Sequence, residues 1–289
     1  MKLSVASSLA LAAPALAALR GFNSAATNPD GSCKSVSDWQ NTFSRIQAAP
    51  GSFKTVRVYA ASDCNTLANA VPAAINTKTK LIVGIWTEDE THYGNEKQAL
   101  LNVMSTFGHD WIQAITVGSE DLYRGDTSAS ALAAQIYDVR GMVRAQGVKA
   151  PVGHVDTWTA WVNPGNNDVI KAADFVGMDA YPYFQAIPID NAVNVFMQNL
   201  TATRNYVHSV KSKVPLWITE TGWPVHGATY GGVSVASPAN ARRYWRGLMC
   251  SNLLKDVNVF WYMDEDYWMK PSFGMIGKDG KRVYDQSKC

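Results

Sequence analysis

The sequence predicts an α/β protein built as a single (β/α)8 TIM barrel, and three observations lead there. Short runs rich in β-branched residues recur, helix-like stretches separate them, and acidic residues gather where the runs end. The runs are 20–24, 55–59, 81–86, 114–118, 152–156, 175–178, 216–219 and 257–263, eight in all. Strands alternating with helices imply a parallel sheet, since a parallel connection needs a crossover long enough to hold a helix. Eight such units close a barrel.

The stretches between the runs carry helix signals. Ser237-Pro238 puts an N-cap before a proline at the first helical position, and Ala241, Tyr244, Trp245 and Leu248 follow on one face. Similar apolar spacing marks 131–143 and 193–210. No linker, repeat or low-complexity tract divides the chain, so residues 19–289 are expected to form one catalytic domain.

Ahead of it, residues 1–18 open with Lys2, run apolar from Leu9 to Leu16 and end on small residues, as a cleavable signal peptide does. The run is broken by Pro14 and is short of the roughly 20 residues a bilayer span needs. A secreted monomer with no membrane segment or lipid-anchor tail is the expectation. The formal charge of +2, with basic residues scattered, gives no nucleic-acid footprint.

Four cysteines in a secreted chain suggest two disulfides, with three connectivities open. Cys33 with Cys64 and Cys250 with Cys289 closes the shorter loops and is the pairing expected. No cysteine pair has zinc-site spacing. Asn199-Leu200-Thr201 is a sequon for N-linked glycan.

In a parallel barrel the active site lies at the C-terminal strand ends, where loops converge polar groups over a packed core. Glu120 follows the fourth run and Glu220 the seventh. Two carboxyls facing one another across the mouth can divide the acid and nucleophile roles of glycoside hydrolysis. Around them, at or beyond the same ends, lie Trp86, Tyr123, Trp158, Trp161, Tyr181, Tyr183, Phe184, Trp223, Tyr262 and Trp268. Sugars present flat C–H faces that stack on rings, so this mouth suits an uncharged polysaccharide, while some of the rings serve loop packing.

Other chemistries lack their residues. Ser119 stands in Val117-Gly118-Ser119-Glu120 without the second glycine of a nucleophile elbow. There is no H-E-x-x-H, G-x-G-x-x-G or P-loop, and the five histidines are scattered, so neither metal nor cofactor is expected. His154 and Asp156 share one side of the fifth run, where ordinary packing is expected.

The segments "PLWITETGWP", "TVGSEDLYR", "VRVYAASDCNTL", "DFVGMDAYPYF" and "NVFWYMDEDYW" resemble, in order, those of glycoside hydrolase family 17. The phrase "DGSCKS" and the contexts of all four cysteines are similar to the fungal cell-wall branch, endo-1,3-β-glucanases and 1,3-β-glucanosyltransferases. The resemblance implies a (β/α)8 barrel, a retaining mechanism on 1,3-β-glucan, Glu120 as acid/base and Glu220 as nucleophile. It implies substrate contacts from Tyr59, Tyr181, Trp223, Asp264 and Glu265, to which position at the strand ends adds Trp86, Ser119, Tyr123 and Asp156. It also implies a role in cell-wall glucan remodelling; a weakly catalytic glucan-binding wall protein is the alternative.

Three departures stand out. Ser119 occupies the place of a plant asparagine, as in the fungal branch. The segment 264–271 is two residues longer than the fungal form, which leaves Trp268 and Lys270 without an assigned role. The short stretch after "YPYF" implies that the extra lobe of plant members is absent.

Overall fold

A computed structural model describes residues 18–51 and 53–287, so Cys289 and all of the expected leader but Ala18 lie outside the described residues. Eight strands pair in parallel and in sequence order, β8 returning to β1 to close the barrel. They are β1 (Arg20–Asn23), β2 (Thr55–Val58), β3 (Lys80–Ile85), β4 (Ile112–Ser119), β5 (Val152–Thr157), β6 (Val176–Asp179), β7 (Leu216–Thr221) and β8 (Val259–Trp261). The helices are α1 (Val36–Gln47), α2 (Thr66–Thr77), α3 (Glu90–Phe107), α4 (Asp121–Arg124), α5 (Ala129–Ala145), α6 (Trp158–Trp161), α7 (Asn167–Ala172), α8 (Ile189–Val210) and α9 (Pro238–Met249). The expected runs fall within a few residues of the strands. Run 257–263 is trimmed to its middle, and beyond Trp261 single bonds continue from Tyr262 N–H to Thr221 O on β7 and from Asp264 N–H to Asn23 O on β1.

Polar residues start the helices where the sequence offers them. Ser35 and Asp38 form a reciprocal capping box on α1, and Asp89, Ser128 and Ser237 cap α3, α5 and α9 through backbone N–H groups. Each cap satisfies a donor that the first turn leaves unpaired.

Two apolar layers follow from the strand faces. Outward residues such as Phe22 pack with Phe53 and Trp245 under the helices. Inside the barrel, Ile82, Ala114, Phe175, Trp217 and Phe260 form a plug toward the strand N-termini, with Phe175 stacked on Trp217 at 4.1 Å. Gly21 and Gly153 make room for it: a Cβ there would sit 2.7 Å from the Phe260 ring and 2.9 Å from the Phe175 ring. Beyond the plug, toward the strand C-termini, the interior turns polar with Asn23 and Arg57, both fully buried. That change of character sets the floor of the site.

Cys33 and Cys64 are bridged, as expected, joining the loop after β1 to the loop after β2. Cys250 is also disulfide-bonded. The glycan expectation at Asn199 is corrected: its side chain is buried within α8, with Nδ2 donating to Gln185 Oε1 at 3.2 Å, and a glycan has no room there. Between β6 and α8 the chain makes only a short turn at Pro182–Gln185, so the extra lobe is absent.

Candidate active site

The end of β4 bends sharply. Gly118 and Glu120 both take left-handed backbone angles (φ 73° and 59°), and a Cβ on Gly118 would lie 2.2 Å from Asp121 Oδ2. Glycine is therefore required at 118, and Glu120 carries the strain expected of a non-glycine in that region. The turn lifts the Glu120 carboxyl into the mouth and ties its N–H to Val155 O at 2.9 Å.

Glu220 follows an apolar run on β7 and is buried. Arg57 Nη1 donates to its Oε1 at 2.5 Å and the Tyr181 hydroxyl to its Oε2 at 2.7 Å. Arg57 is itself fixed by Asn23 Oδ1 and Ser119 Oγ, each at 3.0 Å, and lies over the Tyr59 ring. One guanidinium thus links β1, β2, β4 and β7, holding the nucleophile candidate at one orientation.

Electrostatics divides the carboxyls. Burial, then the charges of Glu220 and Asp156, push the Glu120 carboxyl up to about 7. Asp179, fully buried with Thr219 Oγ1 donating to Oδ1 at 2.6 Å, is pushed well above the carboxylate range by burial and then by Glu220's charge. Burial first and Glu220's charge second raise the Tyr181 phenol, which keeps it a proton donor to Glu220. A protonated carboxyl facing a carboxylate across a cleft is the pattern of paired acid and nucleophile.

The cleft has a volume of about 550 Å³ and is lined by Glu120, Glu220, Asp179, Tyr181 and Tyr262, with Tyr123, Trp158 and Phe184 among its rings. Of the residues expected in the site, Tyr59 lies against Arg57 at the floor and Ser119 beside it. Trp86 lies under the Arg124 guanidinium, its Nε1 bonded to Glu88 at 3.1 Å.

Four expectations are corrected. Trp223 is buried, its Nε1 donating to Val235 O at 2.9 Å and its ring against Tyr183 and Tyr244; the chain turns inward after β7, so it stacks on protein. Asp264 and Glu265 both pair with Arg45 from α1, at 3.2 and 2.7 Å, outside the cleft lining. Asp156 sits on the helix-facing side of β5, fully buried, and accepts from Leu122 N–H at 2.9 Å and Thr157 N–H at 2.7 Å.

His154, expected to be ordinary packing, pairs with Asp156 at 3.0 Å, while its Nδ1 meets Val117 O at 2.7 Å. Val117 O can only accept, so Nδ1 carries a proton, and against an ionised Asp156 Nε2 carries the second. Hydrogen bonding to Asp156 raises the imidazole pKa despite the burial. This pair braces β4, β5 and the α4 turn that carries Glu120.

Sequence reasoning missed Arg57. Its signal was a lone cation in the apolar run Val56-Arg57-Val58, an expensive residue to bury without a carboxylate partner. Asp266 also lines the cleft, fixed by Ser272 Oγ and the N–H groups of Phe273 and Gly274. Asp63, His92 and Glu96 gather within 4.8 Å. Yet Glu96 already accepts from the N–H groups of Ala61, Ser62 and Trp86, which makes the cluster a loop brace.

A closed parallel barrel with one carboxyl held protonated near neutral pH and a second paired with a buried arginine, both in an aromatic cleft at the C-terminal face, defines a glycoside hydrolase. The chain belongs to the family of the BtgE/BtgC glycoside hydrolase domain, whose model matches residues 21–278. It is 38% identical over 259 residues to a glucan 1,3-β-glucosidase of Schizosaccharomyces pombe, covering 86% of this chain and 79% of that one. It is 38% identical over 299 residues to a probable glucan endo-1,3-β-glucosidase of Aspergillus fumigatus, covering 94% of this chain but 65% of that one. Among solved structures it is similar to an active-site mutant of the Rhizomucor miehei β-1,3-glucanosyltransferase in complex with laminaritriose. The TM-score is 0.80 at 28% identity, covering 91% of this chain and 95% of the other.

Proposed function

We propose that this protein cleaves internal 1,3-β-glucan linkages with retention and passes the released glycosyl group to a glucan acceptor or to water. The observation that carries this is the environment of Glu220, oriented by Arg57 and Tyr181 and facing a Glu120 that holds its proton near neutral pH. Glu220 attacks the anomeric carbon and forms an ester, while Glu120 gives its proton to the departing glycosidic oxygen. With Glu220's charge spent in the ester, Glu120 loses its strongest repelling neighbour and becomes a base. It then takes the proton of the incoming hydroxyl as the ester bond breaks. Transfer is substantial, because Tyr123 and Trp158 offer rings on the Glu120 side where an acceptor sugar is retained.

The setting is extracellular: residues 1–18 direct secretion, and the domain from 19 onward works as a monomer on wall glucan. No described helix is long and apolar enough to cross a membrane. Incubation with a laminari-oligosaccharide of defined length, followed by product sizing, tests the proposal. Products both shorter and longer than the substrate are expected; only shorter products would remove transfer, and unchanged substrate would leave a glucan-binding wall protein.

A further inference from the structure

The loop after β7 builds a second groove beside the cleft. It has a volume of about 430 Å³ and shares Phe184, Tyr230, Lys270 and Pro271 with the cleft lining, so the two hollows meet at one ridge. Phe184 and Tyr230 form its crest, 5.6 Å apart and edge to face, and stand 44% and 45% exposed, unusual for rings with a core available nearby.

The ridge is held in place. The Tyr183 hydroxyl donates to Ala228 O, Ser234 Oγ donates to Ile187 O at 2.7 Å, and Tyr230 and Ser234 close a bridge. At Gly231 (φ 56°) a Cβ would lie 2.3 Å from Ala186 Cβ, so the strap is pressed onto the turn after β6. A rigid wall of exposed rings binds at low ordering cost.

The groove's chemistry selects its occupant. Beyond the ridge it adds His226 and Thr229, hydrogen-bonding groups among ring faces, and no carboxylate lines it. A cation finds no partner there; a polyol with flat C–H faces finds both ring and donor.

We infer that this groove binds a further stretch of the same uncharged glucan chain, which crosses the Phe184–Tyr230 ridge out of the catalytic cleft. This rests on the glucan reading above and adds that the protein reads chain length through the β7 loop.

Kinetics on linear laminari-oligosaccharides of four and eight units test it, with kcat/KM expressed as the eight-to-four ratio. Thr229→Trp fills the groove from an exposed position, and Tyr230→Ala removes half the ridge. Each is expected to lower the ratio about fivefold to tenfold, the value of one well-placed ring contact, while Tyr230→Phe retains it. Melting temperatures matching wild type exclude misfolding. An unchanged ratio in both variants, with wild type active, overturns the groove and leaves the glucanase reading intact. Inactivity of wild type on both substrates overturns that reading instead. Calorimetric titration of the same sugars then decides the groove: length-dependent affinity lost in Thr229→Trp supports it, and length-independent affinity or no binding overturns it.

Discussion

At the residue scale the site is a problem of charge. Arg57 pairs directly with Glu220, while Glu120 meets the part-exposed Arg124 at 4.0 Å, so burial and Glu220's charge hold the protons on Glu120 and Asp179. Removing the buried cation by Arg57→Met strands a buried carboxylate and is expected to cost about 3–5 kcal/mol in urea denaturation. Glu120 gives a prediction with a sign. Its proton is held more tightly folded, near pH 7, than unfolded, about pH 4.3. Its favourable contribution is therefore complete below about pH 4 and is lost as pH rises through 7. Glu120→Gln, always neutral, should melt with wild type at pH 4 and above it at pH 8. The wild-type kcat/KM should fall on an alkaline limb near pH 7 that Asp156→Asn moves downward, since Asp156's charge helps hold the Glu120 proton.

The two glutamates were legible as strand-end acids because a barrel places its chemistry there. Which face a strand residue takes was not legible. Parallel barrel strands are buried on both sides, so alternation of polar and apolar residues is weak. Asp156 therefore read as a mouth residue although it faces the helices, and Trp223 read as a sugar platform although the chain turns it into the core. Asp264 and Glu265 misled for another reason: their partner, Arg45, lies far away on α1, and no local spacing announces it.

At the scale of elements, the strands and helices came through from β-branched runs and caps, since those signals are local. The braces between elements did not. His154 joins Val117 on β4 to Asp156 on β5, and Asp156 holds the α4 turn through Leu122. A structural brace alone would lower stability; one that also positions the acid/base changes turnover at constant fold. His154→Gln, assayed below its melting temperature, is expected to lower kcat about tenfold or more with KM little changed, and to move the alkaline limb upward as Asp156 loses its counter-charge. The Cys33–Cys64 bridge closes a separation of 31 residues. Opening it by paired serine substitution is expected to cost about 3–4 kcal/mol, read from urea midpoints.

At the scale of the molecule, the barrel has two ends with different work. The aromatic plug toward the strand N-termini fixes the strands, and the polar layer above it fixes Arg57, which in turn orients Glu220. Function thus rests on a chain of contacts that begins at Gly21 and Gly153, where room for the plug is made. A net charge of +2 spread over the surface adds no steering, in keeping with a neutral polymer as substrate.

The central claim is that Glu220 is the residue that bonds to sugar. A laminaribiosyl donor with fluorine at C2 and a good leaving group slows both steps but releases the ester more slowly than it forms, so the adduct accumulates. Digestion and mass analysis should find one glycosyl unit on the peptide carrying Glu220, and none in Glu220→Gln. An adduct on any other residue, Glu120 included, or turnover with no adduct at all, would contradict the account.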